Sequence, residues 1–274
     1  MLLLWMLLIF RKLFIYSREV LPMEMEASYN WFLVSLSFLI AVFGSFTGLQ
    51  ITNGMKSSTT GPSLLWIAAA AVSLGGGAIW TMHFIGMLAY QVPMDIGYLP
   101  GPTFASLALA VVAVGIGIYI AVSGKLSAVR LTGAGLFTGL AVAGMHYLGM
   151  EAMVMPGGGM VYDKTLVGVS LAIAIVAATV ALWLAVNLKG TMIMLGSAVV
   201  MAVAVCGMHY TGMAAMKMVH NHEADQTIIE NSMTPMTMGL FIFCASMFLL
   251  VICLIMSLNQ LSNKIYDEMQ DEVA

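Results

Sequence analysis

The chain has 274 residues, of which 61% are hydrophobic and 8% charged, and its mean hydropathy is +0.98. That little charge does not solubilise a globule of this length, so the composition specifies an integral membrane protein. A formal net charge of -3 with no basic patch excludes nucleic acid as a partner.

Taken in chain order, residues 1–24 form an N-terminal extension. Residues 1–10 are apolar but too short to span a bilayer, and Arg11, Lys12 and Arg18 follow them. An interfacial helix, a signal-like segment and a start assigned too early are the alternatives, since Met23 or Met25 would serve equally well as a beginning. Seven stretches then meet the requirement of about 20 apolar residues for a membrane-spanning helix. They run over 31–51, 64–90, 104–123, 131–153, 166–187, 192–216 and 238–257, with Gly, Pro and polar residues between them. The expected fold class is all-α: a polytopic membrane protein whose seven transmembrane helices comprise three two-helix repeats plus a closing helix, in a domain covering 25–258. A tail follows over 259–274, where Leu261, Ile265 and Met269, with Leu258 before it, keep a helical spacing suited to a partner helix.

Within the second, fourth and sixth stretches one phrase recurs: Met82-His83-Phe84-Ile85-Gly86-Met87, Met145-His146-Tyr147-Leu148-Gly149-Met150 and Met208-His209-Tyr210-Thr211-Gly212-Met213. The histidines are spaced by 63 residues both times, which marks one structural unit used three times. Residues four apart share a helix face, so each histidine and the methionine that follows it present an imidazole and a thioether together. Met153 and Met216 extend that face, with Tyr90 at the equivalent place in the first unit. The glycines between the ligand candidates leave room for a neighbouring helix or an ion, and the aromatic residues after the histidines suit the membrane interface.

Imidazole with thioether is a donor set for copper, whereas zinc more often recruits Cys or carboxylate. The metal-ligand candidates are therefore Met82, His83, Met87, Met145, His146, Met150, Met208, His209 and Met213. Haem ranks below a copper ion, because three equivalent histidines do not divide into axial pairs. Ionisable groups inside a membrane are costly, which favours function over packing for the histidine set.

Other features carry less. Glu151 reads as a group meeting headgroup water at a helix end, and His220, His222, Glu223 and Asp225 as a solvated loop. Gly75-Gly76-Gly77 lies in an apolar helix without the strand or lysine of a phosphate loop, so it reads as a site of close helix packing. Cys206, Cys244 and Cys253 have no disulfide or CxxC spacing and read as small buried hydrophobes. No Ser/His/Asp array, paired carboxylate or nucleotide fingerprint is present, so no enzymatic activity is expected. Lys56, Lys125, Arg130, Lys189 and Lys264 fall on one side and Lys164 and Lys217 on the other, which places the C-terminus in the cytoplasm and the histidines near the outer face.

With Met208-His209-Tyr210-Thr211 standing in the third unit, and with three motifs, seven apolar stretches and the Tyr29-Asn30 entrance to the first, the chain resembles the MHYT domain family of bacterial integral membrane sensors over about 25–258. The resemblance implies copper bound through the nine Met and His residues named above, and the sensing of oxygen, carbon monoxide or nitric oxide. It also implies a site in the inner membrane and a separate cytoplasmic signalling partner, since many family members carry cyclic-di-GMP or kinase domains. Phe84 replaces the motif tyrosine, and Ile85 and Leu148 its threonine. Copper transport is the alternative reading, and would call for further soft ligands deep in the membrane.

Overall fold

A computed structural model describes residues 27–56, 63–124, 127–156, 158–188, 190–220 and 230–273. The N-terminal extension and the loop residues His222, Glu223 and Asp225 lie outside the described residues.

Each of three units has the same order: a short strand, a helix, a helix bearing the histidine, and a second strand that pairs antiparallel with the first. In the first unit these are β1 (Ser28–Tyr29), α1 (Trp31–Lys56), α2 (Leu64–Ala89) and β2 (Tyr90–Gln91). The second has β3 (Gly97–Tyr98), α3 (Pro100–Val122), α4 (Ala128–Ala152) and β4 (Met153–Val154). The third has β5 (Gly158–Tyr162), α5 (Lys164–Asn187), α6 (Thr191–Ala215) and β6 (Met216–His220). One backbone bond locks each unit in the same way, from Asn30 N–H to Ala89 C=O, from Leu99 N–H to Ala152 C=O and from Asp163 N–H to Ala215 C=O, all at 2.8 Å.

Local chemistry explains the helix starts. Asn30 Oδ1 accepts from the backbone of Phe32 and Leu33, and Asp163 Oδ1 from Thr165 and Leu166, satisfying donors that have no partner within the helix. Leu99 offers no such oxygen. The Pro100-Gly101-Pro102 run, which the apolar pattern leaves between helices, forms the first turn of α3, where a missing N–H costs nothing.

The six helices close into a ring, with α1 packed on α2 and α6 and each further helix on its chain neighbours, while α2, α4 and α6 also meet at the centre. All six are long and apolar enough to cross a membrane. Large apolar residues also cover the outside, among them Val112, Val176 and Val203. A surface apolar both outward and inward suits lipid on one side and protein on the other. The seventh helix, α7 (Pro235–Val273), has a shorter apolar stretch over Pro235–Leu249, so the described residues contain six full-length spans and one shorter apolar helix. Cys206 is buried as expected, whereas Cys244 lies on the exposed face of α7, an apolar position that the sequence alone does not orient.

One irregularity breaks the symmetry. Between Val72 and Trp80 the α2 backbone is a π-helix. From its first residue to its last α2 has 26 residues, against 25 in α4 and α6, and a π segment is how a helix absorbs an inserted residue without shifting the turns beyond it. The three glycines sit here, and they do permit close packing. A Cβ on Gly75 would meet the Ala110 backbone, and one on Gly77 the side chain of Leu249 from α7. Phe241 of α7 stands edge-on to Trp80 and Phe104 at 5.8 and 5.1 Å between ring centres.

Candidate metal centre

His83, His146 and His209 each lie six residues before the last residue of their helix, about 9 Å inside its end at 1.5 Å per residue. The strand pairs close over them, and the three side chains are 0–1% exposed. They therefore sit inside the bundle rather than at its rim. Their Nδ1 atoms form a near-equilateral triangle, 3.0 Å from His83 to His209, 3.0 Å from His83 to His146 and 3.3 Å from His146 to His209. The rings meet edge to face, with centres 4.8, 5.0 and 5.1 Å apart.

Glycine sets this approach. The Nε2 edge of His83 occupies the place of a Cβ on Gly149, His146 does the same at Gly212, and His209 at Gly86. Every histidine thus lies on the glycine of the next unit around the ring, and the third closes on the first. What the sequence reads as room for a helix or an ion is room for a neighbouring imidazole.

The aromatic residue after each histidine follows the same circuit. Tyr147 bonds Ser170 at 2.6 Å, and Tyr210 bonds Ser37 at 2.9 Å. Both serines already donate to carbonyls, of Val167 and Val34, so the tyrosines are the donors. In the first unit Phe84 has no hydroxyl, and Trp80 Nε1 instead donates to Ser106 Oγ at 3.0 Å. Phe84 and Tyr147 are fully buried, which corrects their reading as membrane-interface residues: they join adjacent units. Tyr210 meets Tyr29 edge to face, as Tyr29 in turn meets Tyr90, at 5.9 and 5.4 Å between ring centres. Burial, with Tyr90 and Tyr210 alongside, pushes the Tyr29 hydroxyl up to about 12.

Met82, Met87, Met145, Met150, Met208 and Met213 are all at most 1% exposed. Met82 packs with Ala41, Ala202 and Cys206, and the other five belong to the main core. Tyr90, Met153 and Met216 do not continue the histidine face. Each is the extended residue that ends its helix and opens a strand, which corrects the straight-helix extrapolation.

An imidazole nitrogen has one in-plane position, filled by a proton or by a lone pair. Three Nδ1 atoms facing one another therefore cannot satisfy all three by hydrogen bonding. The three Nε2 atoms also lack a partner. A buried polar group left unpaired costs about 1–3 kcal/mol, so the trio is expensive as a packing element. A cation suits it: three atoms with edges of 3.0, 3.0 and 3.3 Å have a common centre about 1.8 Å from each, within a few tenths of the roughly 2.0–2.1 Å of a zinc–imidazole bond. These histidines are the candidate metal group among the described residues.

Fold and site together define a multi-pass α-helical membrane protein of threefold internal repetition around a buried histidine trio. The family model described as MHYT, bacterial signalling protein N terminal repeat, matches residues 76–134, 139–198 and 203–264, and the chain belongs to that family. The first two matches start in one histidine-bearing helix, run through the next helix and end within the following histidine-bearing helix, and the third runs from α6 into α7, so each is offset from the strand-closed unit. The chain is 39% identical over 194 residues to the bifunctional diguanylate cyclase/cyclic di-GMP phosphodiesterase MucR of Pseudomonas aeruginosa, covering 69% of this chain and 28% of that protein. It is 33% identical to the signaling protein YkoW of Bacillus subtilis, over 70% of this chain and 25% of the relative. The cyclic di-GMP phosphodiesterase NbdA of Pseudomonas aeruginosa is 34% identical, with 70% and 25% covered. The chain thus spans about a quarter of these relatives. No solved structure matches it.

Proposed function

We propose that the chain is a sensory module of the bacterial inner membrane that holds one copper ion between His83, His146 and His209 and responds to a diatomic gas or to redox state. The observation that carries this reading is the triangle of three buried Nδ1 atoms, one from each unit, whose lone pairs only a cation satisfies together. Copper is favoured over zinc because six thioethers, of Met82, Met87, Met145, Met150, Met208 and Met213, flank the histidines in the chain and, among the described residues, no cysteine or carboxylate joins the trio. Haem fits poorly, since imidazoles in mutual edge-to-face contact leave no slot for a porphyrin plane.

Copper supplies a site where a diatomic ligand or an electron is taken up. The protein's own residues do the rest. The three histidines come from three different units, so any shift of one ring moves its helix against the glycine of the next. The Tyr147–Ser170, Tyr210–Ser37 and Trp80–Ser106 bonds carry that shift around the ring. Signal then passes to α7, which packs on the π segment of α2 and runs, with the C-terminus in the cytoplasm, toward a separate signalling partner. The MucR, YkoW and NbdA names make cyclic-di-GMP signalling the leading candidate for that output. The role is one of binding and population shift, without catalysis.

The test is carbon monoxide infrared spectroscopy on reduced, copper-loaded protein in lipid nanodiscs. A CO stretching band that the His83→Ala, His146→Ala, His209→Ala triple variant lacks supports the reading. A variant that keeps both copper and the band contradicts it.

A further inference from the structure

One helical turn below the histidines, on the side away from the strands, the bundle holds a partly open cavity of about 70 Å³. Residues of all six ring helices line it, and its roof includes Ile79, Val142 and Val205, each four residues before its histidine. The cavity therefore lies on the pseudo-threefold axis, about 6 Å along the helices from the trio. Met208, next to His209, also faces it.

The cavity is not polar enough to hold water well. Its lining is almost wholly aliphatic, with Ser45 and Thr138 as the polar exceptions. Thr138 is 4% exposed and its hydroxyl has no hydrogen-bond partner. A water here would find at most two polar groups where about three hydrogen bonds are usual, whereas engineered aliphatic cavities of about 150 Å³ stay dry and take up xenon or benzene. A space half that size excludes benzene and admits a xenon atom or a diatomic molecule.

We propose that this chamber is a binding site for small apolar gases, of the size of dioxygen, nitric oxide or xenon, distinct from the histidine centre and placed to concentrate such a gas one turn from it. The sensing role rests on the function proposed above, while gas occupancy does not, because nothing in the chamber's chemistry requires a metal.

Metal-free protein, labelled with carbon-13 at the methionine methyl groups and placed in nanodiscs, is titrated with xenon under pressure by NMR. Met201 and Met208, which line the chamber, should shift saturably, and Met160 and Met233, outside it, should follow only the linear solvent effect. Ala178→Leu and Ala181→Leu fill the chamber from α5 and should each weaken the xenon response at least tenfold, whereas Ala172→Leu on the exposed side of the same helix should leave it unchanged. Thr138→Val, which removes the lone hydroxyl at constant volume, should keep or strengthen the response and guards against a folding loss in the filled variants. Linear, unsaturated shifts at Met201 and Met208, or a response unaltered in both filled variants, overturns the proposal. Saturable xenon binding in a protein that takes up no copper leaves the chamber standing and removes the sensor centre; copper uptake without a xenon response does the reverse.

Discussion

His83 and Gly149 face one another across a unit boundary, the edge of the imidazole filling the space where a Cβ on Gly149 would stand. The same contact recurs from His146 to Gly212 and from His209 to Gly86, so the motif's glycine and its histidine serve each other in different units. A repeat that supplies one half of a contact and receives the other half from its neighbour leaves no half unmatched once the chain closes into a ring, here of three units.

Alanine at Gly149 should therefore push His83 off the axis. Overpacking of a buried contact costs about 1–3 kcal/mol, and Gly149→Ala should show that loss in thermal or denaturant unfolding together with reduced metal uptake. Gly86→Ala and Gly212→Ala should match it. Gly168→Ala and Gly196→Ala, where an added Cβ meets nothing within 4 Å, should be neutral or slightly stabilising. Equal effects at all five glycines would contradict the inter-unit contact.

The hydroxyls of Tyr147 and Tyr210 should be worth a net hydrogen bond each, about 0.5–1.5 kcal/mol, lost in Tyr147→Phe and Tyr210→Phe. The reverse change in the first unit should not stabilise. In Phe84→Tyr the new hydroxyl would compete with Trp80 for Ser106, and a buried unpaired group costs about 1–3 kcal/mol. Unfolding midpoints of the three variants decide this, and a stabilised Phe84→Tyr would contradict the packing described.

The π segment yields a prediction about register. Deleting Gly76, whose added Cβ would meet only ordinary contacts, should let α2 revert to regular helix with His83 still on the axis and metal uptake retained. Deleting Ala141 from the regular α4 should turn His146 by about 100° and abolish uptake. Loss in both deletions would show that the π segment does not absorb the inserted residue.

Much of this was legible in the sequence, and the reasons are particular. The interval of 63 residues between the histidines announced three units, and the apolar runs located all six ring helices to within a few residues at each end. The strand pairs escaped notice because two-residue strands such as Tyr90–Gln91 leave no alternating pattern to read. Their consequence was that Tyr90, Met153 and Met216, placed on a helix face by periodicity, instead turn out of the helix. Gly86, Gly149 and Gly212 were recognisable as points of close approach, but which group approaches depends on how the units pack, and spacing within one helix carries no information on that. The extra residue in α2 was not countable in advance, because the apolar runs begin 19, 15 and 17 residues before their histidines and only the helix starts at Leu64, Ala128 and Thr191 reveal the excess.

The most direct test is the number of copper ions per chain, measured by mass spectrometry of metal content on protein purified in lipid, for the wild type and for His83→Ala, His146→Ala and His209→Ala singly. One shared centre predicts a single ion per chain in the wild type and near-complete loss in each single variant. Three ions, each variant losing one, would show that every helix binds metal on its own through its histidine and methionine, and copper-free wild type that folds normally would return the trio to packing.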